Sequence, residues 1–322
     1  MLPTLPQLLQ YLITGVTQGS IYAMIALGFT LIHNTTGIVN FAQGEFVTFG
    51  ALVTISCAQA GWPIPAAVVA AVAAATALAA LLERAAIRPA RGASVISLII
   101  ITIGASILLR GVAMWVWGPD AQSMRHFSGE QPILLGEAVI LPQHLWIMGI
   151  VLATMLGLWL LGEKSQVGKA MRACAVNRES ARLLGIPASR MVMLSFALSG
   201  MLGGLAGAIV VPIAMGQYDM GIMLGLKGFC AAILGGMGNP MGAVLGGVLL
   251  GCLESLGIGL SPSGWSGFKD AIAFSVMLIV LLARPTGLLG LGSARLKRPR
   301  RARVAEAAPA AAGDGAKGAA QP

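Results

Sequence analysis

Ser94, Thr102, Ser106 and Arg110 recur along one apolar stretch with Leu98 filling the gap, so on a helix they form a single polar stripe. Thr14, Gln18 and Tyr22 repeat the spacing in the first apolar stretch, and Asn40, Gln43 and Glu45 follow in the glycine-punctuated run Gly37 to Glu45. Hydroxyls, amides and one guanidinium arranged this way suit weak recognition of a polar solute. A polar stripe on a membrane helix faces protein or water, not lipid. Plainer roles exist for each group. The hydroxyls can bond neighbouring helices or their own backbone, Arg110 can reach outward to the interface, and Asn40 and Glu45 can cap the next helix, whose dipole favours an acid. Glu254, deep in a later apolar stretch, needs a partner, and Arg110 and Lys227 are the candidates.

Catalytic chemistry finds little support. Ser199, in a glycine-rich stretch, resembles a buried nucleophile, as an intramembrane hydrolase would need, but such a serine requires a base within reach. His33, His126 and His144 fall outside or at the edges of the apolar stretches. Cys57, Cys174, Cys230 and Cys252 lie far apart without metal-type spacing, so three read as packing residues and Cys174 as a reduced loop residue. Gly162 to Lys169 only superficially suggests a phosphate loop. Its glycines have one residue too many between them, and Ala170 stands where Ser or Thr would bind magnesium. The chain is therefore expected to bind no cofactor.

The elements that must position these groups follow from composition. With 57% hydrophobic residues, 10% charged residues and a mean hydropathy of +0.83, the 322-residue chain lies outside the range of a soluble domain. It lacks long alternating strands, and lipid then leaves helices as the spanning structure. The fold class is all-α, a polytopic helical membrane protein with eight or nine transmembrane helices. Spans are expected at 8–32, 42–60, 65–83, 94–117, 144–161, 191–213, 222–236, 241–260 and 269–283, each to be weighed against the roughly 20 residues that cross the hydrocarbon core. The short 222–236 stretch either crosses or is re-entrant. The Gly235–Pro240 break after it is either a tight turn or a lining of a water-filled cavity. Residues 1–290 form the membrane domain, and 291–322 a basic, then Ala/Gly/Pro-rich disordered cytoplasmic tail.

The net charge of +9 is concentrated in that tail and in residues 163–190, which carry Lys164, Lys169, Arg172, Arg178, Arg182 and Arg190 against Glu163 and Glu179. This is a topological signal and not a nucleic-acid footprint. The loop should be cytoplasmic, as should the link bearing Arg84, Arg88 and Arg91, which puts the amino terminus outside if the first three spans all cross fully. The first stretch lacks a charged n-region and is expected to remain in the mature protein. Residues 166–184 read as one helix ending at Gly185, after which Pro187 opens a second short helix. The result is a knob with Met171, Ala175, Ala181 and Leu184 as a small apolar surface.

Several motifs carry a family resemblance. The run T-x-G-S-I-Y-A-x-I-A-L-G-F-T-L-I from Thr17 is followed by T-G-I-V-N-F-A-Q-G-E-F-x-x-x-G-A from Thr36, and L-K-G-F-x-A-A-I-L-G-G-x-G-N-P-x-G-A spans Leu226–Ala243. Together with G-x-A-M-R-A at Gly168–Ala173, Asn177 and Gly185-Ile186, they resemble the LivH-type permease subunit of branched-chain amino acid ABC importers. The resemblance covers most of residues 8–290. It implies a transport permease, not an enzyme, in a bacterial inner membrane. It further implies a heterodimer with a LivM-type permease, two cytoplasmic ATPase subunits that use the ATP, and an extracytoplasmic substrate-binding protein. Gly168, Met171, Arg172, Ala173, Asn177, Gly185 and Pro187 become the ATPase-coupling residues. Gln18, Tyr22, Asn40, Gln43, Glu45, Thr102, Ser106 and Arg110 become the transport pathway, where a zwitterion is met by weak polar contacts. Related permeases for urea, short amides or sugars are the alternative.

Overall fold

A computed structural model describes residues 4–129, 131–135, 138–260, 269–284 and 286–289. The tail expected at 291–322 lies outside the described residues. The elements are helices α1 (Leu5–Thr36), α2 (Gln43–Gln59), α3 (Ile64–Leu82), α4 (Val95–Trp117), α5 (Pro142–Lys164), α6 (Gln166–Val176), α7 (Arg178–Leu183), α8 (Ala188–Val210), α9 (Met220–Gly235), α10 (Pro240–Leu260) and α11 (Lys269–Ala283). A two-stranded hairpin, β1 (Ile133–Leu135) and β2 (Ala138–Ile140), precedes α5. Among the described residues, six helices are long and apolar enough to cross a membrane: α1, α3 with its π-helical extension Glu83–Ile87, α4, α5, α8 and α10. The sequence runs of small and apolar residues thus become helices as composition requires, with the helical prolines confined to the starts of α1, α3, α5 and α10.

The core lies where α1 packs along α8, α9 and α10. Met24, Ile25, Val47, Leu202, Ile209 and Leu250 fill it, each almost wholly buried. By contrast α4 and α5 leave broad apolar faces uncovered, including Ile96, Leu108 and Trp115 on α4 and Leu152 on α5, surface suited to lipid or another membrane chain.

The chain direction of each helix can be read from contacts. The α10 glycine Gly247 abuts Ala23 and Gly251 abuts Gly19, while Gly259 abuts Tyr11, so α10 runs antiparallel to α1. The helix α9 begins beside Gly44 and Thr48, passes Ile25, and ends with Gly235 against Gly242. Residues 211–219 bring the chain in from the opposite end, where Gly216 and Gln122 form a bridge. The 222–236 stretch is therefore helical almost throughout, as the 16-residue α9, and residues 211–219 carry the chain to its start in irregular backbone. The Gly235–Pro240 break is a tight turn, sealed where Leu288 and Leu289 donate their N–H groups to the carbonyls of Leu234 and Gly235.

Residues 165–188 depart from expectation. Helix 166–184 is broken at Asn177, whose extended backbone and side-chain oxygen cap α7 through the N–H of Ser180, 3.0 Å away; asparagine is among the strongest N-caps. Pro187 opens no short helix but leads directly into the 23-residue α8. Gly185 sits at φ +80°, a left-handed backbone that favours glycine, and turns the chain from α7 toward α8. The apolar surface also differs. Cys174, Ala181 and Ala188 close on one another and Met171 is buried, whereas Ala175 and Leu184 are exposed, as are Val176 and Leu183.

Candidate functional site

The helix α2 begins inside the bundle. Its first residue, Gln43, reaches Ser199, about three turns into α8, and Gly28, about two turns before the end of α1. Its other end reaches the far side, where Trp117 Nε1 donates to Ser56 Oγ at 2.6 Å. The segment joining α1 to α2 must therefore turn back to mid-depth, where water is scarce and every polar group needs a partner. The partners are present. Phe41 donates its N–H to Thr102 Oγ1 at 3.2 Å, Ala42 to Asn40 Oδ1 at 3.2 Å, and Gln43 Nε2 to the carbonyl of Ser199 at 3.2 Å. The Ser199 hydroxyl lies 3.0 Å from the Gly28 carbonyl oxygen and also contacts Gln43 Oε1. No histidine is among these partners, and Ser199 ties α8 to the break in the way a structural hydroxyl would.

Two residues beyond Gln43, Glu45 is 1% exposed. Its Oε1 accepts from Ser106 Oγ at 2.8 Å and from Arg110 Nη2 at 2.9 Å. Glu45 stands in the first turn of α2, where the helix dipole favours an acid, with Ala42 at the cap position, and its carboxylate is turned to α4. Arg110 does not reach outward. The stripe on α4 is the face that meets α2, with Thr102 and Ser106 buried and Ser94 serving as the helix cap.

Beside this pair lies a cavity of about 240 Å³, walled by Phe29, Phe41, Ile107, Ile222, Leu226 and Phe229, with Glu45, Ser106 and Arg110 as its polar side. The rings of Phe29 and Phe41 stand 5.7 and 5.6 Å from that of Phe229. Along one edge the backbones of α2 and α9 touch. A Cβ on Gly44 would fall 2.1 Å from the Gly221 carbonyl oxygen, and one on Gly221 2.2 Å from that of Gly44. Only glycine permits this approach, which brings Gly221 and Gly225 into the cavity wall.

The far face of α9 carries a second charged group of residues. Lys227 Nζ lies 2.6 Å from Glu254 Oε1 and 2.8 Å from Asp270 Oδ1, and Tyr22 donates to Glu254 Oε2 at 2.9 Å. Of the two candidate partners for Glu254, the fold selects Lys227. Tyr22 accordingly belongs to this cluster and not to the cavity, and Gln18, on the same helix, does not line the cavity either. Of the eight pathway positions, Glu45, Ser106 and Arg110 meet at the cavity, while Asn40, Gln43 and Thr102 hold the break that shapes it. The aromatic wall and the glycine seam were not anticipated. Phenylalanines in apolar helices carry no periodic mark, and the G-F pair at Gly228-Phe229 was the nearest available signal.

At the knob, Ser165 caps α6 by accepting from the Gly168 N–H at 3.0 Å, and Met171 and Cys174 pack inward. Arg172 pairs with Glu163 on the surface. Ala173 is half-buried against the same cluster, and Asn177, Gly185 and Pro187 form its corners. Burial pushes the Cys174 thiol up from its ordinary value, against the lowering influence of Arg178 and Arg182. A connection missed from sequence leads on from here. Arg91, read only as a positive-inside marker, pairs with the fully buried Glu83 and donates to Ser189 Oγ at 2.8 Å. It thereby joins the π-helical end of α3 to the first turn of α8.

Residues 11–281 match the family described as the permease component of the branched-chain amino acid transport system. The chain belongs to that family. Among curated relatives, the permease is 33% identical to the high-affinity branched-chain amino acid transport permease BraD of Pseudomonas aeruginosa, over 90% of this chain and 98% of that protein. It is 35% identical to LivH of Escherichia coli, over 88% and 95%. A more distant relative is the ribose import permease RbsC of Escherichia coli, at 29% identity over 82% and 81%. The permease is a multi-pass helical membrane protein of a transport family, and not an enzyme.

Proposed function

We propose that the chain is the membrane permease subunit of an ATP-driven, binding-protein-dependent importer of branched-chain amino acids in the bacterial inner membrane. The observation that carries the reading is the interrupted backbone at Asn40–Gln43, held at mid-depth by buried polar groups beside a cavity with an ionic side and an aromatic side. Broken helices of this kind belong where a solute meets protein within the membrane. The names of BraD and LivH support the cargo.

The knob supports the energy source. Its exposed Val176, Leu183 and Leu184, amid Arg172, Arg178 and Arg182, offer apolar contact with a basic surround, fit for a cytoplasmic ATPase. Movement there passes into α8 directly and into α3 through Ser189, Arg91 and Glu83. Glycines and serines of α8 lie against the break, so a shift of α8 reaches Gln43. The partners in this reading are two ATPases, a LivM-type permease against the uncovered faces, and a substrate-binding protein at the far end.

The test is reconstitution of the permease with the products of neighbouring genes in proteoliposomes. ATP-dependent leucine uptake that valine and isoleucine compete, and that urea and ribose do not, is the expected result. Uptake competed by ribose or urea would replace the cargo.

A further inference from the structure

We infer that the cavity beside α2 is a transient clamp for a zwitterion in transit: as the Glu45–Arg110 pair turns toward the cavity, the Glu45 carboxylate takes the ammonium group and the Arg110 guanidinium the carboxylate. The inference rests on the reading of the chain as an amino-acid permease, and adds where and by what chemistry the cargo is held.

Glu45 Oε1 already accepts two hydrogen bonds, whereas Oε2 is buried and accepts none. On the other side of the pair, Arg110 Nε is buried and donates to no protein group. A buried carboxylate oxygen and a buried guanidinium N–H without partners are costly unless something else satisfies them. Both belong to groups that line one cavity, and they are opposite in kind, an acceptor and a donor. An α-amino acid presents the complementary pair, joined through a single carbon.

Charge balance narrows the ligand further. The Glu45–Arg110 pair is neutral as a whole, so a neutral zwitterion enters without adding net charge to a low-dielectric site, and a singly charged solute does not. The lining also includes Phe29, Phe41, Phe229 and Ile107, which can receive a branched aliphatic side chain. At about 240 Å³ the cavity is below the roughly 300–1,000 Å³ of sites for drug-sized ligands, which suits a small amino acid. The seam at Gly44 and Gly221 keeps α9 close enough for both sides to act on one small molecule.

The test uses the assembled importer. Glu45→Gln, Arg110→Gln and the double variant are measured for leucine uptake, with co-purification of the ATPases as the check on assembly. A clamp predicts uptake lowered about tenfold or more in all three, since each loses a charge-assisted contact to cargo. A purely structural ion pair predicts that the double variant, which leaves no unpaired buried charge, recovers wild-type uptake, and that result would overturn the clamp. A second measurement keeps both charges. Ile103→Cys, at the cavity wall, is alkylated by a small maleimide in the presence of millimolar leucine, isocaproate or isoamylamine, and the adduct is quantified by peptide mass spectrometry. Protection by leucine and not by the two analogues, which lack the ammonium and the carboxylate respectively, is expected. Equal protection by all three, or none by leucine, would refute the clamp even in an importer that transports leucine. Failure of the wild-type importer to transport leucine would instead refute the underlying function.

Discussion

Lys227 Nζ and Glu254 Oε1 stand 2.6 Å apart with both side chains all but sealed from the surface, which makes α9 and α10 electrostatically inseparable. Asp270 and Tyr22 complete the cluster. Removing the only cation in it leaves two carboxylates facing each other in an apolar bundle. Lys227→Met is therefore expected to destabilise the detergent-purified protein by about 3–5 kcal/mol, read as a lowered thermal midpoint. Adding Glu254→Gln to that variant should recover part of the loss. Equal midpoints for Lys227→Met and wild type would remove the cluster from the forces holding this half of the bundle.

The backbone contact between Gly44 and Gly221 gives a second expectation. Gly44→Ala would place a methyl group 2.1 Å from a carbonyl oxygen, so α2 and α9 must separate. Overpacking of this kind costs about 1–3 kcal/mol. Leucine uptake should fall sharply although no charged or polar side chain has changed. Gly104→Ala, where a Cβ meets open space, serves as the matched control and should transport as wild type does.

At the knob, stability and coupling should separate. Arg172 and Glu163 are each about half exposed, at 51% and 48%, and such pairs contribute about 0–1 kcal/mol. Leu184 is 80% exposed and supports nothing within the chain. Arg172→Glu and Leu184→Asp are expected to leave the thermal midpoint nearly unchanged while uptake and binding-protein-stimulated ATP hydrolysis are lost. Normal stimulation in both variants would detach the knob from the motor.

Sidedness can be read by thiol labelling, though not at Cys174. That residue is 5% exposed and its thiol is pushed up by burial. The thiolate is the reacting form, so a raised value means less of it at any given pH. Cys174 should label slowly near neutrality and faster only as pH climbs above the usual thiol range. Val176, 88% exposed, is the better reporter. A membrane-impermeant maleimide should modify Val176→Cys in inside-out vesicles and not in intact cells. The reverse pattern would put the knob outside.

Much of this architecture was legible in the sequence, for particular physical reasons. Lipid leaves helices as the only open option, so apolar runs fixed the elements. The four-residue spacing of Ser106 and Arg110 correctly turned one face of α4 inward. What spacing cannot supply is the neighbour. Glu45 lies 65 residues from Arg110 in the chain, and locally it looked like a helix cap. Tyr22 and Gln18 were grouped with the pathway because they share a polar face, and spacing could not show that the Tyr22 hydroxyl meets Glu254 on α10. At Asn177 the signal was present and misread, because good helix formers on both sides outweighed an asparagine whose side chain begins a new helix. Arg91 shows the converse error, since a residue explained by topology alone also holds Glu83 and Ser189.

Where Gly44 meets Gly221, main chain rests on main chain, pinned by Thr48, whose hydroxyl oxygen accepts from the Gly221 N–H at 3.0 Å. Helices locked by interdigitated side chains must switch rotamers in order to slide. These two need only flex that one hydrogen bond to shift by fractions of an ångström, like a sprung bearing. A push arriving through α8 therefore meets an interface where it can be converted to motion without first unpicking a packed core, and that interface forms the rim of the cavity.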